Sequence, residues 1–173
     1  MIILGVIHLK GLPGSPSNKL NLEEITELAQ NDIDNLSKAG VNGIIVENFG
    51  DVPFVKNDVS KRTVASLTSV IQNLNIDSKL KLGVNVLRND GIAALSIAEA
   101  TNADFVRINV LNNVMMFTDQ GIIEGEANKI AQFNKSLNKD IEIYADVFVK
   151  HAVPPEGSKI ENHAEELINR AGA

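Results

Sequence analysis

Five short apolar runs, each closing on polar residues and each followed by a stretch with helical spacing, constrain this chain more than any other feature. The second run is the clearest. Gly43, Ile44, Ile45 and Val46 end in Glu47 and Asn48, a Gly/Asp/Pro loop follows, and a helical pattern begins at about Ser60. Runs this short and this rich in β-branched residues read as buried strands. Strands that alternate with helices pair in parallel, with the helices laid over the sheet. In such proteins ligands meet the carboxyl ends of the strands.

The spacing predicts strands at residues 2–7, 43–47, 80–86, 105–110 and 141–149. The first helix follows a plausible N-cap at Asn21, carries Glu23 and Glu24 in its first turn, and stops at Gly40. Further helices are predicted at 60–73, 91–100, 126–137 and 161–170, with Asn89 or Asp90 capping the third. Residues 9–18 hold Gly11, Pro13, Gly14 and Pro16 and form a stiff loop, without the Gly-Lys-Ser/Thr ending of a P-loop. Residues 111–125 read as a long loop, a lid candidate, in which Met115, Met116 and Phe117 form an apolar flap or a partner contact. No linker interrupts the pattern, so one domain spans residues 1–173.

Composition narrows the function. A chain of 173 residues, 44% hydrophobic, has enough apolar material for one sizeable core. Its net charge of -6 and the absence of any basic block argue against a nucleic-acid partner. There is no cysteine, hence no disulfide framework and no thiolate chemistry. No apolar run approaches the ~18 residues that span a bilayer. Residues 1–8 lack a basic leader and a small-residue cleavage site, which suits a buried strand better than a signal peptide and makes the cytoplasm the expected location.

Two parallel architectures compete on the residues alone. Five units can complete a doubly wound open sheet, whereas a TIM-type (β/α)8 barrel takes about 250 residues. Polar residues at the end of every strand favour the barrel, because an open sheet concentrates them at one switch point. Five units do not close a barrel, and the residues leave both architectures open.

With the strands aligned by their polar ends, His8, Glu47, Asn85, Arg107 with Asn109, and Asp146 with Lys150 converge on one end of the sheet. Apolar strands have no packing reason to carry such groups, since an unpaired buried charge is costly. Glu47, Asp146 and His8 are the catalytic candidates and also a weak divalent-metal set, of the carboxylate-imidazole kind that suits Zn or Mn. The plainer alternative pairs Glu47 with Arg107. Asp146 is a candidate general base, its pKa raised by burial beside Glu47. Lys150 forms a Schiff base if desolvated, and is otherwise a rim contact for an anion. His151 is an acid/base candidate or a loop histidine, and His163 reads as surface. Arg88, at a helix start, suits a phosphate or carboxylate. Asp51 is explained by turn formation, and Asp119 is a ligand candidate on the long loop.

Five phrases carry a family resemblance. They are residues 5–16 (GVIHLKGLPGSP), 43–54 (GIIVENFGDVPF), 83–90 (GVNVLRND), 118–125 (TDQGIIEG) and 145–151 (ADVFVKH). Together they resemble the BtpA family, also called SgcQ-like, along the whole chain. The resemblance implies a TIM-type barrel related to the phosphate-binding barrels. The family takes its name from a factor for photosystem I accumulation, but it also has members in organisms without photosynthesis, so a photosystem role is not the shared activity. It also implies strands six to eight after helix five, so the expectation is an incomplete barrel of about five βα units. A shortened reading frame is the simplest origin, and a split gene the next. A second chain or oligomer is then needed to cover the open sheet edges.

The functional expectation is an enzyme-type barrel that binds or converts a small anionic metabolite, sugar-phosphate-like or nucleotide-like, by acid/base or metal-assisted chemistry. Glu47 and Asp146 are its central carboxylates, with Arg88 and Arg107 on the anion. One alternative is a non-catalytic factor for a membrane complex such as photosystem I, with peripheral membrane association; another is that the five-unit fragment is inactive and carries its strand-end residues without using them.

Overall fold

The expected strands appear as a parallel sheet because each run alternates between a face that meets helices and one that does not. In the computed structural model, which describes residues 1–173, β1 (Leu4–His8), α1 (Leu22–Lys38), β2 (Gly43–Glu47), α2 (Lys61–Gln72), β3 (Lys81–Asn85), α3 (Gly91–Thr101) and β4 (Phe105–Ile108) follow in strict alternation. β5 (Val114–Phe117) and β6 (Gly121–Glu124) intervene before α4 (Ala127–Ser136) and β7 (Glu142–Ala145). β8 (Ala152–Val153) precedes α5 (Ile160–Glu166), which runs on into a π-helical turn over Leu167–Ala171. The main sheet has the order β1-β2-β3-β4-β7, parallel throughout.

Caps place the helices where the sequence predicts. The Asn21 side chain accepts from the Glu24 N–H, and Glu24 accepts from the Asn21 N–H, a complete capping box. Ser60 caps α2, and Asp90 caps α3 while also accepting from the Val59 N–H. Ile25, Ala29 and Ile33 of α1, Leu67, Val70 and Ile71 of α2, and Ala94, Ile97 and Ala98 of α3 bury against Ile7, Ile44, Val46, Val84 and Val106 of the sheet. At ~25 cal/mol per Å² of apolar surface removed from water, this layer is the main source of stability.

The opposite face of the sheet has no helix over it. Its middle row is Val6, Ile45, Gly83 and Phe105, in register. Phe105 lies over Gly83, where a Cβ would collide with the ring, and stacks on Tyr144 at 4.4 Å. Val6 and Tyr144 are exposed. The sheet does not close, and β1 and β7 are its edges.

The predicted loop at 111–125 is instead a hairpin of β5 and β6, joined by β8 into a three-stranded antiparallel sheet. Met115, Phe117 and Ile123 turn inward and bury with Val110 and Val149 as a second small core, so the Met-Met-Phe segment is not a free flap. Only Met116 of the three is exposed. The last strand of the main sheet ends at Ala145, four residues before the predicted limit.

Candidate functional site

Parallel register puts like positions of neighbouring strands side by side. His8 pairs with Glu47, Glu47 with Asn85, and Asn85 with Arg107. The four therefore form one row on the helix-free face at the carboxyl end of the sheet, and Asn109 and Asp146 stand just beyond it. The predicted convergence is what the strands produce.

The row is tied together by charge. The Arg107 guanidinium donates to Asp146 through Nε to Oδ1 and through Nη2 to Oδ2, each at 2.9 Å, and reaches Glu47 Oε2 through Nη1 at 3.5 Å. Asn109 Nδ2 also donates to Asp146 Oδ2 at 3.0 Å. Asn85 Nδ2 donates to the Arg107 carbonyl and to Asn109 Oδ1. His8 Nε2 lies 3.3 Å from Glu47 Oε1. Glu47 thus stands between a histidine and an arginine, and the alternative pairing with Arg107 is present, though longer than the fork to Asp146.

Electrostatics separate the two carboxylates. Glu47 is only 4% exposed, and its burial pushes its pKa up from the ordinary value. Arg107, His8 and Arg88 oppose that shift by favouring the anion. Both oxygens of Asp146 already accept hydrogen bonds from Arg107 or Asn109, and the fork raises the pKa of Arg107. This geometry makes Asp146 the anchor of Arg107, not a free base, and makes Glu47 the carboxyl whose proton affinity is raised.

Arg88 is the opposite case. Its guanidinium lies between the rings of Phe54 and Phe117, at 4.5 and 5.1 Å from their centroids. The residue is buried, takes part in none of the ion pairs, and its Nε has no hydrogen-bond partner. Desolvation lowers its pKa, and the charges of Asp119 and Glu47 act against that. A second orphan is Asn85 Oδ1, a buried acceptor without a donor. Unsatisfied polar atoms are rare in folded interiors, and two of the four in this chain lie at or just after the end of β3.

A cleft of about 220 Å³ opens over this end, lined by His8, Glu47, Phe49, Leu87, Arg88, Arg107, Asn109, Val149, Lys150 and His151. Lys150 is exposed, so it lacks the desolvation that Schiff-base chemistry asks for and stands as a rim cation. Asp119 is at the hairpin turn, bonded to Gln120 and outside the cleft lining. No group of three or more His, Asp or Glu side chains is arranged to hold a metal ion. Between Glu47 and Asp146 stands the Arg107 cation, so the predicted trio with His8 does not come together as ligands.

Two readings change. Asp51 does more than form a turn. Its carboxylate accepts from the Leu12 N–H at 2.7 Å and from Asn48 Nδ2 at 3.0 Å, while Asn48 Oδ1 accepts from the Leu87 N–H at 2.7 Å. The pair binds the loops after β1, β2 and β3 to one another, and burial raises the Asp51 pKa. His163 is not at the surface. It is buried, with Phe148 edge-on at 4.8 Å and Asn113 Nδ2 at 3.2 Å from Nδ1. Its helix is short and uncapped, so amphipathic spacing gave no sign of an inward face.

The chain matches the BtpA family over residues 1–173. It is 52% identical over 151 residues to an uncharacterised protein of Thermococcus kodakarensis, covering 87% of this chain and 57% of the relative. An uncharacterised protein of Pyrococcus horikoshii is 46% identical over 171 residues, covering 99% of this chain and 64% of the relative. The photosystem I biogenesis protein BtpA of Synechocystis is 44% identical over 168 residues, covering 97% of this chain and 58% of the relative. The chain spans about three-fifths of the length of these relatives. No solved structure matches it, and no helix is long and apolar enough to cross a membrane. With the five phrases and the whole-length match in agreement, the chain belongs to the BtpA family.

Proposed function

We propose that the cleft at the carboxyl end of the main sheet binds a small anionic metabolite of the sugar-phosphate or nucleotide kind and acts on it by acid/base chemistry. The observation that carries this reading is Arg88, a buried guanidinium clamped between two rings with its Nε unsatisfied. Leaving a buried charged donor unpaired is costly, and an anionic ligand removes the cost. Lys150 adds a second positive charge at the rim. Arg107 is spent on Asp146 and Glu47, so it holds the site together and does not meet the ligand's charge.

His8 and Glu47 are the acid/base pair in this reading. Glu47 is held at the cleft floor with its proton affinity raised, and His8 bridges it to the cleft, its side chain 52% exposed. A carboxyl shifted toward neutrality, with an imidazole nitrogen 3.3 Å away, is placed to exchange a proton with it. The helix-free face, with β1 and β7 unpaired, supports reading the sheet as five-eighths of a TIM-type barrel whose remaining strands are supplied from outside this segment.

Isothermal titration with ribose 5-phosphate tests the reading. Binding by the unaltered chain, lost at least tenfold in Arg88→Gln and kept in Glu47→Gln, supports it. Equal binding by the Arg88 variant, or none by the parent, overturns it.

A second reading is a factor for a membrane complex such as photosystem I, after the name of the Synechocystis relative. The apolar groove along Val114, Met116, Ile122 and Val153 favours it as a contact surface. Recovery of the chain with a membrane fraction, sensitive to Met116→Lys, supports that role, and indifference to the substitution counts against it.

A further inference from the structure

The cleft contains an aromatic platform that the anion-site reading does not use. Phe49 follows Glu47 and Asn48 directly out of β2, and 43% of its surface is exposed. One face stacks on the His8 imidazole, with centroids 4.2 Å apart and planes 17° from parallel. The rest of the ring opens on the cleft lining, among charged and amide groups. A phenylalanine kept half in water at such a place gives up burial that it would find elsewhere in the core.

The platform is tied to the cation. Phe54 sits 6.3 Å from Phe49, and the Arg88 guanidinium lies 4.5 Å over the Phe54 ring. A flat apolar surface and an unsatisfied buried guanidinium are therefore separated by one aromatic side chain.

We infer that the metabolite is an anion bearing a planar heteroaromatic ring, as a nucleoside monophosphate does. The ring stacks on Phe49 and the phosphate meets Arg88, both of which line the cleft. A sugar phosphate satisfies the guanidinium but leaves the platform bare. The inference rests on the anion-site reading and narrows its ligand class.

The test compares, by isothermal titration on the unaltered 173-residue chain, adenosine and uridine 5′-monophosphate with ribose 5-phosphate and inorganic phosphate. At least one nucleotide is expected to bind tenfold or more tightly than ribose 5-phosphate. Phe49→Ala is expected to weaken the nucleotide about 5- to 150-fold, the range for loss of one stacked base, and to leave ribose 5-phosphate unchanged. Phe49→Trp keeps a platform and is expected to retain nucleotide binding, which separates stacking from misfolding. If ribose 5-phosphate binds as well as both nucleotides, the ring inference is wrong and the anion site stands. If no phosphate compound binds, both are wrong.

Discussion

Arg107→Met removes the guanidinium that joins two carboxylates at the sheet end. In the folded chain Arg107 gives a two-bond fork to Asp146 at 2.9 Å and a longer contact to Glu47 at 3.5 Å. The Arg107 side chain is 28% exposed and that of Asp146 19%, so each charge-assisted bond belongs at the lower end of about 1.5–3 kcal/mol. Breaking a partly buried pair from one side then costs about 3 kcal/mol at neutral pH, or about 6–12 °C in Tm for a chain of this size. The loss carries a pH signature. Without the cation, the buried Glu47 holds its proton still more tightly folded than unfolded. Such a group contributes stability below the ordinary carboxylate range and loses it as pH rises through its raised value. The deficit is therefore small near about pH 4 and full by about pH 7.5. Urea melts at both values measure it. A variant as stable as the parent at the higher pH, or a deficit that does not change with pH, refutes the reasoning that Arg107 compensates buried carboxylates.

Three further outcomes follow from the same geometry. Glu47→Gln removes a carboxyl whose ionisation is harder folded than unfolded, so urea melts should show a stability gain at about pH 7.5 that vanishes by about pH 4, together with a loss of about 10²- to 10⁴-fold in any turnover. Asp51→Ala strips the acceptor from the Leu12 N–H and from Asn48, and thermal melts should register about 1–3 kcal/mol of lost stability with looser loops after β1 and β2. Gly83→Ala drives a methyl group into the Phe105 ring and should cost about 1–3 kcal/mol, seen with a change in near-ultraviolet circular dichroism from the Phe105–Tyr144 stack.

The main sheet was readable because its signals are local. Asn21, Ser60 and Asp90 announce helices by chemistry within a few residues of the start, and β-branched runs mark the strands between them. The row of His8, Glu47, Asn85 and Arg107 was readable for a related reason: a polar residue in a buried strand needs partners, and parallel register lines those residues up. The hairpin at 114–124 is not legible in the sequence although its grammar is present, an apolar run Val114–Phe117 and the Ile122–Ile123 pair around a turn at Thr118, Asp119 and Gln120, because strands that short sit below the noise of periodicity. The isolation of Arg88 was not readable at all. It depends on Phe54 and Phe117, which come from two other segments, and on Arg107 drawing both Asp146 and Glu47 to itself. The inward face of His163 likewise depends on Asn113 and Phe148, distant in sequence. The choice between an open sheet and a barrel turns on what pairs with β1 and β7, and no local pattern encodes that.

The measurement closest to the central claim is an amide-resolved ¹H–¹⁵N NMR titration of the chain with a phosphate-bearing ligand. The account predicts saturable shifts concentrated at His8, at Glu47 to Phe54, at Asn85 to Asp90, at Arg107 to Val110 and at Val149 to His151, all reduced in Arg88→Gln. Shifts confined to the helix-covered face, or shifts that persist unchanged in that variant, contradict it.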